Sequence, residues 1–173
     1  MLIVFLSSFG LTSGTSVDVD RDTKSMYKAI FISNFTSLVD WPADYRTGLF
    51  VIEVYDKSDG LFNLLTKKYA GKAVGSQEIK VIKYNPSKPI KSHIIYVSKE
   101  YSYKLVNIET SIKNKSTLLI SNNLGDLKRG STINFVINKN KNNKLAFEIN
   151  TLNAKKHNLI LASKLSTLAL KVR

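Results

Sequence analysis

Residues 49–55 read LFVIEVY, and two later stretches repeat that character: HIIYV at 93–97 and TLLIS at 117–121. Each is a nearly continuous apolar run of strand length, the pattern of a strand buried on both faces. Between them lie helical patterns. Leu61–Tyr69 reads as a short helix ended by Ala70-Gly71-Lys72, and Tyr101–Ser111 as a weaker one. Glu78–Tyr84 alternates Ile79 and Val81 with lysines, as a more exposed edge strand does. Buried strands alternating with helices imply a parallel sheet covered on both sides. The expected class is therefore α/β, a single three-layer domain with a mostly parallel central sheet.

Towards the C-terminus the pattern changes. Ser131–Ile137 places Ile133, Phe135 and Ile137 on one face, and Lys144–Asn150 does the same with Leu145, Phe147 and Ile149. The intervening NKNKNN is turn chemistry, so the pair reads as an antiparallel hairpin. Opposing Phe135 to Phe147 turns all six apolar residues to the core and sets Asn134 against Glu148 on the other face; a slip by one residue would reverse this. Beyond the hairpin, a short helix is expected around Leu152–His157. A second starts at Ser163, with Leu165, Leu168, Ala169 and Val172 at i, i+3, i+4 and i+7. Towards the N-terminus, residues 23–38 read as a helix whose apolar stripe is Tyr27, Ile30, Phe31, Phe35 and Leu38, closed by Trp41-Pro42.

The chain opens MLIVFLSSFGLTSGTS. Its apolar run is too short to span a bilayer and matches a secretory leader with a small-residue cleavage zone, although no Lys or Arg precedes it. A buried first strand is the other reading. The expected division is a signal peptide at 1–16, a short tail at 17–22 and one domain at 23–173, with a periplasmic product.

At 173 residues, the chain is long enough to bury ~70% of its unfolded surface without a disulfide or metal. Cysteine is absent, which excludes disulfides, thiol nucleophiles and thiolate-ligated metals. The net charge is +13, carried by 22 Lys and 4 Arg spread along the length. Specific nucleic-acid readers lean on Arg, so the excess reads mainly as a solubility term and no nucleic-acid partner is expected.

Catalytic constellations are lacking. Gly71-Lys72 has neither the preceding glycine nor the following hydroxyl of a phosphate loop, and no GxGxxG follows a strand. His93 and His157 stand apart, without a carboxylate pair on a shared face. No metal site, cofactor or catalytic residue is expected. Asn134, Glu148 and Asn150 form the most concentrated polar set, read either as a ligand patch or as a structural cluster bonding loop backbone.

Four segments read together resemble the YfiR family of small periplasmic regulators, which includes HmsC-like proteins. They are Lys28–Phe35 followed by Val39-Asp40-Trp41-Pro42; the Gly71-Lys72 turn; Thr132–Val136; and Phe147–Asn150 with Ala154, Leu159, Ser163 and Leu165 after it. Relatives tend to have Gly-Gly where this chain has Gly130-Ser131, and Gly-Phe where it has Gly125-Asp126, so that loop is expected to serve a different partner or ligand. The resemblance implies a non-catalytic repressor. It would bind the extracytoplasmic part of an inner-membrane diguanylate cyclase, controlling cyclic-di-GMP output and biofilm formation, or act with a membrane histidine kinase. An outer-membrane lipoprotein would sequester it.

On the residues themselves, the last helix offers partner contacts at Lys164, Leu165, Leu168 and Lys171, although its leucines equally suit a core. A small-ligand sensor is the alternative, using Tyr55, Asp56, Ser98 and Ser121 at the carboxyl ends of the strands. A homodimer is the commonest assembly for such a domain.

Overall fold

The computed structural model describes residues 16–88 and 91–173, with side chains from residue 23 onward. In chain order the elements are α1 (Ser16–Leu38), β1 (Val39–Asp40), β2 (Phe50–Tyr55), α2 (Gly60–Tyr69), β3 (Ala73–Val74), β4 (Gln77–Lys83) and β5 (Ile94–Val97). There follow α3 (Leu105–Ser111), β6 (Leu118–Ser121), β7 (Ile133–Asn138), β8 (Lys144–Ile149), α4 (Thr151–Lys156), β9 (Ile160–Leu161), α5 (Ser163–Leu168) and β10 (Lys171–Val172). Tight 3-10 turns at Lys99–Lys104 and Asp126–Arg129 follow β5 and β6.

The sheet has eight strands in the order β10-β8-β7-β6-β5-β2-β4-β3. β4, β2, β5, β6 and β7 run parallel, so the expected α/β class is the observed one. The hairpin registers as its alternation demands, with Phe135 opposite Phe147 and Asn134 opposite Glu148. Five of its six apolar residues turn inward, whereas Ile137 at the tip is 39% exposed because β7 runs past the end of β6 there.

Alternation along the strands sorts the core into two parts. Phe50, Ile52 and Val54 face α1, α2 and α5, in one cluster with Ile94, Tyr96, Leu118 and Ile120. The opposite face is smaller: Ile95, Val97 and Leu119 pack under Leu105 and Ile108 of α3 and Ile112 just past its end. On the first face Phe31 and Phe35 of α1 meet Phe135 and Phe147, with ring centroids 5.2–6.1 Å apart. Such aromatic pairs add about 1 kcal/mol each beyond the area they bury.

Two expectations need correction. α1 begins at Ser16, ahead of the expected 23. Its buried side runs through Ser25, Ala29, Ile32, Phe35 and Thr36, while Tyr27 and Ile30 face solvent. At the other terminus the last helix stops at Leu168, and residues 171–172 become β10, parallel to β8. A six-residue helix is marginal, and the free edge of β8 accepts Leu170 N–H at Phe147 O and Arg173 N–H at Ile149 O. The leader expected over 1–16 lies, but for its last residue, outside the described residues.

Candidate functional site

α2 leaves β2 towards one face of the sheet and α3 leaves β5 towards the other. The carboxyl ends of β2 and β5 are therefore the point where the winding reverses, the usual place for a ligand crevice. Tyr55-Asp56 and Val97-Ser98 end these strands, as the sequence places them. A third contribution comes from α1, whose Lys28 Nζ donates to Tyr96 Oη at 2.9 Å. Burial pulls the Lys28 ammonium below the ordinary lysine range, against the pull of Asp56 and Glu100. Tyr96 is wholly buried, and its phenol is pushed well up by the same cause. Lys28, Asp56, Tyr96 and Glu100 thus form one electrostatic group at this edge, with buried Ser98 beside it. Lys28 and Glu100 could not be found from sequence, because nothing local ties residue 28 to residue 96.

The remaining expected ligand residues scatter around this group. Tyr55 stacks on Tyr101 with centroids 4.0 Å apart and touches Tyr84 at 5.0 Å, on the α3 side. Ser121 is buried and donates to Asn134 Oδ1 at 2.9 Å. Of the polar set on the hairpin, Asn134 is thereby internal. Asn150 caps α4, its Oδ1 accepting from Leu152 and Asn153 N–H while its Nδ2 donates to Leu127 O. Glu148 is half-buried, beside Lys171 in the ladder.

The histidines are structural. His93 Nδ1 accepts from Val51 N–H at 3.1 Å, so Nε2 carries the proton and donates to Tyr45 O at 2.7 Å. Its ring sits among Trp41, Tyr45 and Phe50, stacked on the last at 4.2 Å. His157 is buried at the end of α4, its Nδ1–H directed to Lys115 O at 2.9 Å. A cleft of about 410 Å³ opens near the amino ends of the strands, lined among others by Thr36, Asp40, Trp41, Arg46, Phe50 and Gln77. Its one sequence signal is Trp41-Pro42. Among the described residues no group of three His, Cys, Asp or Glu could hold a metal, and no helix is long and apolar enough to cross a membrane.

The C-terminal tail divides. Leu165 is wholly buried in the main core, whereas Lys164, Leu168 and Lys171 are exposed.

A sequence profile described as YfiR/HmsC-like matches residues 25–170. The chain belongs to the YfiR/HmsC-like family. Membership fits a periplasmic regulator of signalling proteins, and the family is regulatory rather than catalytic. No curated protein matches the sequence. Among solved structures, the YfiR-like chain is similar to a conserved domain protein from Vibrio cholerae O1 biovar El Tor, at 10% identity and a TM-score of 0.56. That likeness covers 86% of this chain and 60% of the other, and it concerns the fold alone. A weaker one, TM-score 0.48 at 9% identity, is to an ABC domain in complex with L-Trp from Streptococcus pneumoniae, covering 72% and 55%.

Proposed function

We propose that the protein is a periplasmic repressor that binds the extracytoplasmic part of an inner-membrane signalling protein, typically a diguanylate cyclase, and so lowers cyclic-di-GMP output. The family profile over residues 25–170 carries this reading. A repressor of this kind needs only to bind one conformation of its target better than the other, since that difference alone shifts the equilibrium. The exposed apolar surface of the tail supports it. Leu168, Leu170 and Val172 lie open, and the backbone of Leu170 bonds Phe147, whose ring meets Phe31 of α1. Lys164 and Lys171 flank this strip. An outer-membrane lipoprotein competing for the same strip would relieve repression.

Crosslinking in intact cells, followed by fractionation and recovery of the tagged chain, tests the proposal. Recovery from the periplasm with a membrane cyclase is the expected result; recovery from the cytoplasm with nucleic acid would overturn it. Lys164→Glu and Lys171→Glu should slow association with the target and weaken its salt dependence while sparing the fold. Unchanged affinity in both variants would remove the tail as the contact surface.

A second reading rests on the group formed by Lys28, Asp56, Tyr96 and Glu100 at the winding reversal. There the protein would be a small-ligand sensor acting with a membrane histidine kinase. Thermal-shift screening that finds no stabilising metabolite would count against it.

A further inference from the structure

Leu124 is 90% exposed and Tyr103 64%. Single exposed apolar side chains are ordinary; what distinguishes this pair is how it is held. Tyr103 follows Ser102 in the loop after β5, and Leu124 follows Asn123 in the loop after β6. Asn123 Nδ2 donates to Ser102 Oγ at 2.9 Å, so both tips rise from adjoining points. Beneath them lies Asp126, fully buried, accepting from Ser102 Oγ at 2.7 Å and pairing with Arg129 at 3.2 Å. Arg129 also donates to Ser102 Oγ at 2.9 Å. Gly130 closes the second loop with φ +115°, where a Cβ would stand 2.4 Å from Glu109 Cγ. A buried carboxylate is costly unless paired, and here it fastens two loops whose tips stand exposed.

The surroundings are basic. Lys99, Lys104 and Lys128 are exposed on the same two loops, with Glu100 their one exposed acid, and Lys104 Nζ lies 5.3 Å from the Tyr103 ring centroid. A tyrosine and a leucine at loop tips, ringed by long-stemmed lysines, suit the boundary between lipid headgroups and acyl chains. The +13 charge is spread along the whole chain. Such a diffuse field favours an extended anionic plane over a single acidic socket.

We propose that the loops after β5 and β6 dock the protein on an anionic lipid surface, with Tyr103 and Leu124 entering the headgroup layer and Lys99, Lys104 and Lys128 around them. This rests on the reading that its target is membrane-embedded: adsorption would confine the search for that target to the membrane surface. Binding is weak and reversible, because two side chains insert.

The test is co-sedimentation of the full chain with vesicles of phosphatidylethanolamine and phosphatidylglycerol, and with phosphatidylcholine vesicles. Saturable, salt-sensitive binding to the anionic vesicles alone is expected. The double variant Tyr103→Ser, Leu124→Ser should weaken it about tenfold at unchanged charge. Lys99→Gln, Lys104→Gln and Lys128→Gln should each cost about fivefold. All five positions are exposed, and circular dichroism checks that each variant folds. No binding to anionic vesicles overturns the proposal. So does equal binding by the double variant and the parent, which would mean adsorption by charge alone. Loss of the signalling protein with vesicle binding intact in the double variant would assign the loops to an acidic protein surface instead. The vesicles contain no signalling protein, so their result is independent of repression. Failed repression in cells with intact vesicle binding would strike only the repressor reading.

Discussion

The two ends of the central strands are built on opposite plans. At the amino end, His93 is enclosed by Trp41, Tyr45 and Phe50, and both its ring nitrogens are committed to backbone partners, Val51 of β2 and Tyr45 in the 3-10 turn Ala43–Tyr45 before it. At the carboxyl end, Lys28 keeps a partly buried ammonium against a phenol, with Asp56 and Glu100 near enough to act on its charge. A polar group whose every bond is internal holds a fold together. Charges kept together at an edge where the winding reverses are available to something else.

The largest effect that tests this contrast is His93→Ala. It leaves Val51 N–H and Tyr45 O unpaired and opens a hole among three aromatic rings, so the loss of stability should be about 4 kcal/mol by chemical denaturation. A loss below about 1 kcal/mol would mean that the aromatic end is not the structural one.

An intermediate effect is expected with pH. Burial lowers the His93 pKa, outweighing the bond to Tyr45, and Lys91 adds to the lowering. The unfolded chain therefore takes up the proton first, near pH ~6.5. Stability from this residue is fully present above that value and falls as pH drops towards the lower folded pKa. Denaturation midpoints measured down through this window should decline in the parent and decline less in His93→Ala. Parallel slopes in the two proteins would assign the acid sensitivity elsewhere.

Smallest is Lys28→Met. Removing a partly buried ammonium should change stability by less than about 1 kcal/mol in either direction, because the desolvation penalty offsets its attractions. A loss of 3 kcal/mol or more, on the scale of ~3–5 kcal/mol for a broken buried pair, would make Lys28 a structural strut and erase the contrast.

Much of the sheet was legible because alternation is a local property. The Phe135–Phe147 register follows from which face carries six apolar residues, whatever lies beyond. The buried side of α1 was not legible: Tyr27 and Ile30 are as apolar as Ala29 and Ile32, and the side that packs is chosen by the elements α1 meets. Nor was β10, since Leu168–Val172 continues a helical pattern and becomes a strand only where β8 offers an unpaired edge. Of the candidate sites, Asp56 and Ser98 could be placed by counting to strand ends. Lys28 could not, because its role depends on Tyr96, 68 residues away. Leu165 shows the same limit in reverse, as exposure on a terminal helix is settled by packing and not by position.

The small pairing of β1 with β9 sets Val39 against Leu161, and α1 also leans on β8 and α5. The first helix can lie against α2 early, but its seat is complete only when nearly the last residues have been made. Contacts this distant along the chain make folding slow. Until synthesis is almost finished, the side of the core that β8, β9 and α5 cover stays open to water.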